Sequence, residues 1–248
     1  MEIDKRYGPE IPPNLTSMPE KAALYATDAY FWEGWEDLEE IAGASAAKLL
    51  HAHSLILFRP DAVAARRLRP ALLWLPKNGF SVVASRQVSV DRHQVRALWE
   101  YQWNAALRER KDACDLLMRA CPSLLVAIRT LEPTREPAAC RFAMLKGSSN
   151  PVLREPGELR GLLNYKSRML SFIHSPDEPA DVVREVALLL EEKDRKGLFK
   201  TMNSSAGESA DAVNALIDDL YAHVREHSLN LSMAVDRVEA AARRAIWT

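Results

Sequence analysis

The sequence predicts an α+β fold, a ferredoxin-like (βαββαβ) antiparallel sheet backed by helices, with extra helices at both termini. Three observations carry this. Four short apolar or β-rich runs, at 55–58, 80–88, 123–131 and 169–173, are separated by segments of helical period. Stripped of extra helices and one loop, their order is β-α-β-β-α-β, closed by a further helix. Outside that span the apolar residues recur at helical spacing only, before residue 50 and after residue 212. The expected organisation is an N-terminal arm and helical extension over 1–53, a central domain over 54–193, and a linker with a C-terminal helical extension over 194–248.

The first dozen residues, with Pro9, Pro12 and Pro13, read as an irregular arm. Over 20–50, Leu24, Tyr25, Tyr30, Phe31, Trp35, Leu38 and Ile41 recur at helical spacing, with Gly34 and Gly43 as expected breaks. The run 55–58 ends in Arg59-Pro60-Asp61, a buried strand followed by a helix start. Residues 61–75 are helical in period, with Pro70 expected to bend or interrupt them. Lys77-Asn78-Gly79 supplies the stop, because glycine most easily takes the left-handed C-cap conformation. Residues 80–88 read as the next strand and 91–103 as a helix capped by Asp91. The charged segment 108–112 leads into a short helix through Arg119. Residues 123–131 form the most β-like run, and Pro133 and Pro137 bracket a helix through Leu145.

After His174 a helix carries Val182, Val183, Val186 and Leu189/Leu190 on one face. Residues 194–207 are polar and read as a linker, with Ser205-x-x-Glu208 as a capping box. Val213, Leu216, Ile217, Leu220 and Val224 make one apolar stripe, and Leu231, Val235, Val238, Ala242 and Ile246 a second. Both stripes need the core or a partner chain to cover them.

Composition narrows the function classes. At 248 residues, 48% hydrophobic and 27% charged, the chain is an ordinary globular one. Lys+Arg 33 against Asp+Glu 34 argues against a role in coating nucleic acid or an anionic membrane. Cys114, Cys121 and Cys140 form neither a disulfide framework nor a Cys-x-x-Cys pair, so they read as reduced thiols of a cytoplasmic protein. The N-terminus lacks an apolar signal region and no apolar stretch reaches about 18 residues, so neither export nor membrane spanning is expected.

The chemistry concentrates in residues 145–185. A loop, Lys146-Gly147-Ser148-Ser149-Asn150-Pro151, precedes the turn Pro156-Gly157-Glu158-Leu159-Arg160-Gly161, and an apolar run then delivers His174 at its end. A neutral, oriented imidazole is a good nucleophile toward phosphorus. Phosphoryl transfer otherwise asks for positioning and charge stabilisation, which Arg59, Arg160, Ser148, Ser149 and Tyr101 offer if the fold brings them together.

Together and in order, these motifs resemble the active-site region of nucleoside diphosphate kinases, over about residues 54–192. Arg59-Pro60-Asp61 stands where that family has Lys-Pro-Asp, and Pro156-Gly157-Glu158-Leu159-Arg160-Gly161 matches its Pro-Gly-x-x-Arg-Gly. The resemblance places His174 at the phosphoacceptor position and Glu185, eleven residues on, at that of the glutamate orienting it. It implies nucleotide or phosphate contacts from Arg59, Tyr101, Arg141, Ser149, Arg160 and Ser171. It further implies a ping-pong phosphotransferase acting on NTP with Mg²⁺, no metal held by the protein alone, and a homo-oligomer, against which the terminal helices stand. The departures fall on the nucleotide-holding side: Arg59 for lysine, Ser171 for asparagine, His174-Ser175-Pro176-Asp177 for His-Gly-Ser-Asp, and no phenylalanine between Asp112 and Leu116. Two alternatives therefore stay open, a non-nucleotide small-metabolite acceptor and a degenerate nucleotide-binding scaffold whose terminal helices are the interaction surface.

Each residue also has a structural reading. A histidine at a strand end is ordinarily a satisfied structural group, Arg160 can brace a loop, Arg59 can form a surface ion pair, and Tyr101 can serve helix packing. Glu185 can be one more acid on a helix face. His51-x-His53 reads as a helix end rather than a metal pair. His223-Val224-Arg225-Glu226-His227 matches an inverted zinc-protease motif without its third ligand. The basic cluster Arg66-Arg67-Leu68-Arg69 reads as a solvated helix face rather than a nucleic-acid site.

Overall fold

The computed structural model describes residues 10–101, 106–164, 169–204 and 206–246, the side chains of 244–246 excepted. Its element order is α1 (Pro19–Tyr25), α2 (Ala29–Ala42), α3 (Ala46–Ala52), β1 (His53–Phe58), α4 (Pro60–Ala64), α5 (Leu68–Trp74), β2 (Phe80–Val88), α6 (Arg92–Leu98), α7 (Arg108–Met118) and β3 (Ser123–Thr130). There follow α8 (Ala138–Lys146), α9 (Leu159–Leu163), β4 (Ile173–His174), α10 (Pro179–Leu189), α11 (Glu192–Asn203), α12 (Ala210–His223) and α13 (Leu231–Ile246). The four strands form one antiparallel sheet in the order β2-β3-β1-β4, which is the ferredoxin-like arrangement with α6 and α7 inserted between β2 and β3.

β1 is buried at every position, which explains why it reads as an unbroken apolar run and not as an alternation. Leu55 and Leu57 point to a core shared with α2, α3, α10 and α11. Ile56 and Phe58 point to the other core, with α4, α5, α8, α9 and α12. Both faces of the sheet are thus covered, one of them largely by helices from the ends of the chain.

Several expectations change. Gly34 does not break a helix; α2 runs through it and lays that residue against α10, where an added Cβ would sit 2.6 Å from the Val183 carbonyl oxygen. Close approach is what the glycine serves. The interruption expected at Pro70 falls earlier, between α4 and α5, because Pro70 sits in the first turn of α5, where its missing N–H costs little. The chain turns at Arg66 with φ 58°, its guanidinium donating to the carbonyls of Tyr221 (3.0 Å) and Val224 (2.6 Å) and lying 4.4 Å from the Tyr221 ring centre. Gly79 takes the expected left-handed conformation, φ 83°, at the approach to β2.

The Asp91 cap is present, reciprocated by Gln94, but α6 ends at Leu98 rather than near Trp103, which lies outside the described residues. The segment expected as a linker from Asp194 is helical through Asn203 and buries Leu198, Phe199 and Met202, with Arg195 paired to Asp37 of α2. The capping box at Ser205 falls outside the described residues; Ser209 caps α12 by accepting from the Ala212 amide at 3.2 Å. α12 buries Val213, Ile217 and Leu220, whereas Leu231 and Val238 of α13 stay exposed. Of the N-terminal aromatics considered as an interaction surface, Tyr25, Phe31 and Trp35 are buried in the chain's own core, and Tyr30 stays exposed. No described helix is long and apolar enough to cross a membrane.

Candidate functional site

The end of β1 and the start of β4 are laced together. The Arg59 amide donates to the Phe172 carbonyl (2.9 Å), and Asp61, in the first turn of α4, accepts from the Phe172 amide (3.0 Å). Burial drives the Asp61 carboxyl pKa up; the Arg59 charge and the Phe172 amide oppose that. Phe172 itself has φ 59°, a conformation unusual for a bulky residue, which these bonds hold. The Arg-Pro-Asp motif is therefore a latch on the segment that presents His174. β4 is only Ile173–His174, shorter than the run in the sequence, because the backbone turns at Phe172.

His174 Nε2 shares a 2.8 Å hydrogen bond with Glu185 Oε1, nearly two turns into buried α10. Burial pushes the Glu185 carboxyl pKa up, and the charge and hydrogen bond of His174 work against that. An ionised carboxylate only accepts, so a neutral His174 carries its proton on Nε2 and its lone pair on Nδ1.

His174 lines a pocket of about 140 Å³ together with Arg59, Arg110, Ser149, Arg160 and Ser171. Arg59 Nη1 donates to Ser171 Oγ and its Nη2 to the Met169 carbonyl (2.9 Å). Arg160 Nη1 donates to the Gly147 carbonyl (2.8 Å) and Nη2 to the Ile173 carbonyl (3.2 Å), so it ties the loop before Asn150 to β4. Both guanidinium groups brace backbone and also face the pocket. Such a lining suits a phosphate-sized anion.

Six of the eight expected residues thus meet: His174, Glu185, Arg59, Ser149, Arg160 and Ser171. Tyr101 and Arg141 do not. Tyr101 Oη donates to Asp28 Oδ2 (3.0 Å) beside Tyr25, because the N-terminal helices offer it a buried acid. Arg141 Nη2 donates to the Asn78 carbonyl (3.1 Å) with its guanidinium 5.3 Å from the Phe80 ring centre, on the side of α8 that covers the sheet.

Sequence reasoning missed Trp99, Arg110, Cys114 and Lys146. Trp99 packs edge-on to the His174 ring, centroids 5.5 Å apart and planes at 87°. Arg110 and Cys114 both line the pocket, and their i, i+4 spacing on one face of α7 was the available signal. Lys146 is buried with Nζ 2.6 Å from Ser175 Oγ and 3.4 Å from Asp177; burial lowers its pKa, opposed by Asp177. An unbroken Met-Leu-Lys-Gly helix end gave no hint of that. His51 and His53 bond the carbonyls of Thr134 (2.9 Å) and Leu49 (2.8 Å), and among the described residues no group of three His, Cys, Asp or Glu could hold a metal ion.

Residues 52–195 match the family described as nucleoside diphosphate kinase. A nucleoside diphosphate kinase of Mycolicibacterium gilvum is 29% identical over 136 residues, 54% of this chain and 93% of that protein. One from Pelobacter propionicus is 25% identical over 134 residues, 53% of this chain and 89% of that protein. Among solved structures, the transition-state mimic of a nucleoside-diphosphate kinase from Borrelia burgdorferi with bound vanadate and ADP aligns at TM-score 0.50 and 17% identity. That alignment covers 67% of this chain and 97% of the other, and it shows the fold.

Proposed function

Because this chain belongs to the nucleoside diphosphate kinase family, we propose that it is a phosphotransferase which moves the γ-phosphate of an NTP through His174 to an NDP or a related acceptor. The observation that carries this reading is His174, bonded to Glu185 and lining a pocket that Arg59, Arg110 and Arg160 also line. With Nε2 engaged by Glu185, Nδ1 is the nitrogen with a lone pair for phosphorus. It attacks, the P–O bond to the nucleoside diphosphate breaks, and a phosphohistidine results; an acceptor phosphate oxygen then attacks that phosphorus and the electron pair returns to Nδ1. Arg59, Arg110 and Arg160 offset the charge of the phosphoryl oxygens. Glu185 steadies the ring and stabilises the charge it gains while phosphorylated.

Among the described residues the side chains lining the pocket include no carboxylate, so they do not suit a resident metal ion. Mg²⁺ enters this reading only as part of the substrate, ligated by the phosphates of the NTP.

A second reading, the same His174 chemistry with a non-nucleotide acceptor, is favoured by Tyr101 and Arg141 lying against Asp28 and Asn78 instead of the pocket. One experiment addresses both. Incubation with γ-labelled ATP is expected to leave acid-labile label on the chain and none on His174→Ala, and a panel of acceptors added to labelled protein identifies which one discharges it. Equal labelling of the His174→Ala chain would remove the proposal.

A further inference from the structure

The residue nearest in character to a wall over His174 is Trp99, and the contacts that hold it there run through Arg184 to an acid outside the span that matches the family. Trp99 follows the last residue of α6 and lines the pocket. Its indole stands edge-on to the imidazole at 5.5 Å, and the Arg59 guanidinium lies 5.9 Å from its ring centre. Only 18% of the His174 side chain is exposed, and the indole is one of the groups that cover it.

The chain on either side of Trp99 is pinned to Arg184. Arg184 Nη2 donates to the Ala97 carbonyl (3.0 Å) and lies 3.5 Å from Glu100 Oε2, while its guanidinium sits 5.1 Å from the Tyr101 ring centre. Arg184 in turn is fixed by Asp28, which accepts from its Nε at 2.6 Å and from Tyr101 Oη at 3.0 Å. Asp28 is buried at 7% exposure, and its other oxygen caps α2 by accepting from the Phe31 amide at 2.9 Å. Because Arg184 precedes Glu185 on α10, the contacts close a ring: Asp28 to Arg184, Glu185 to His174, His174 to Trp99, and Tyr101 back to Asp28. A carboxylate serving three donors at once is a strong fixed point.

We propose that Trp99 is a shield that keeps water from the reactive face of His174, and that Asp28 of the N-terminal extension is the positioning residue that holds it in place. The functional consequence rests on the phosphohistidine reading above. In a phosphorylated chain the side reaction is hydrolysis: a water oxygen bonds to phosphorus, the P–Nδ1 bond breaks, its electron pair returns to Nδ1, and the water's proton leaves to solvent with release of inorganic phosphate. A ring packed across the approach slows that step while an acceptor is awaited. The extension is thereby part of the site and not an appendage to it.

Two readouts on the full chain test this. The first is acylation by diethyl pyrocarbonate, followed at His174 by peptide mapping with the exposed His93 as internal reference. Relative to His93, Trp99→Ala is expected to raise the His174 rate on the order of tenfold, as loss of a water-excluding wall implies. Asp28→Asn is expected to raise it several-fold, since asparagine still caps α2 but no longer anchors Arg184 by charge. Asp37→Asn, which loosens another buried acid of α2 paired with Arg195 and Lys196, is expected to leave it unchanged. The second readout is the lifetime of the labelled chain without acceptor, expected to shorten in the same order. Unchanged acylation in a folded Trp99→Ala chain overturns the shield, and an Asp28→Asn chain no different from Asp37→Asn overturns the positioning role. Absence of label on the unaltered chain counts against the phosphohistidine reading alone, and the acylation ratio then decides the shield.

Discussion

At the scale of single residues, the proposed phosphotransfer depends on the His174 proton sitting on Nε2, against Glu185. Glu185→Gln keeps an oxygen within reach of His174 Nε2 but removes the charge that favours the cationic ring, so turnover is expected to fall roughly 10²-fold with substrate KM little changed. Steady-state kinetics of the variant checks this; a change confined to KM would instead place Glu185 in substrate binding. The meeting of His174 and Glu185 was legible only through the family resemblance, which set the glutamate eleven positions on, and the two side chains do lie 2.8 Å apart. The contacts of Tyr101 and Arg141 were not legible, since their partners, Asp28 and Asn78, lie 73 and 63 residues away and neither residue type announces its choice. Trp99 escaped notice for a related reason. A tryptophan at a helix end reads as core until a histidine is seen against it.

At the scale of elements, the contact between α2 and α10 is set by Gly34. Gly34→Ala would put a methyl 2.6 Å from the Val183 oxygen and 2.9 Å from its Cγ1, and the forced separation is expected to cost about 1–3 kcal/mol in a denaturant titration. Helix propensity alone predicts the opposite sign, because alanine favours a helix interior over glycine by up to about 1 kcal/mol. A second joint, between the N-terminal arm and the start of α10, responds to acid. Burial raises the Glu178 pKa, but bonds from Lys21, Thr16 and Ser17 outweigh it and bring it down to about 2. A depressed carboxylate contributes stability above its ordinary value of 4.5 that is lost as pH falls toward about 2. Glu178→Gln is expected to flatten the fall of Tm across that interval, and an unaltered profile would show that another group controls it.

Element ends were read well where a residue type enforces them: Gly79 as a left-handed stop, and Asp91 as a helix cap. They were read poorly where tertiary contacts decide, as at Arg66 held by carbonyls of α12, or at α11, polar overall yet burying Leu198, Phe199 and Met202. A helix with few apolar residues gives little periodic signal even when those few are in the core.

At the scale of the whole molecule, the order of strands followed from the pattern of runs, and the sheet is the family's. What the sequence did not reveal is that its second face is covered by the termini. All eleven residues of α10 are buried, the sheet accounting for one side and α2 for much of the other. A chain begun at the family's first matched residue, 52, and otherwise entire would be born with a greasy flank the length of that helix. Such a fragment is expected to be recovered from the insoluble fraction, and co-expression with a peptide spanning 10–51 to rescue it into solution. A well-behaved, freely soluble fragment would show that the central unit keeps its own counsel. If it needs the peptide, the two pieces were inherited as one indivisible body.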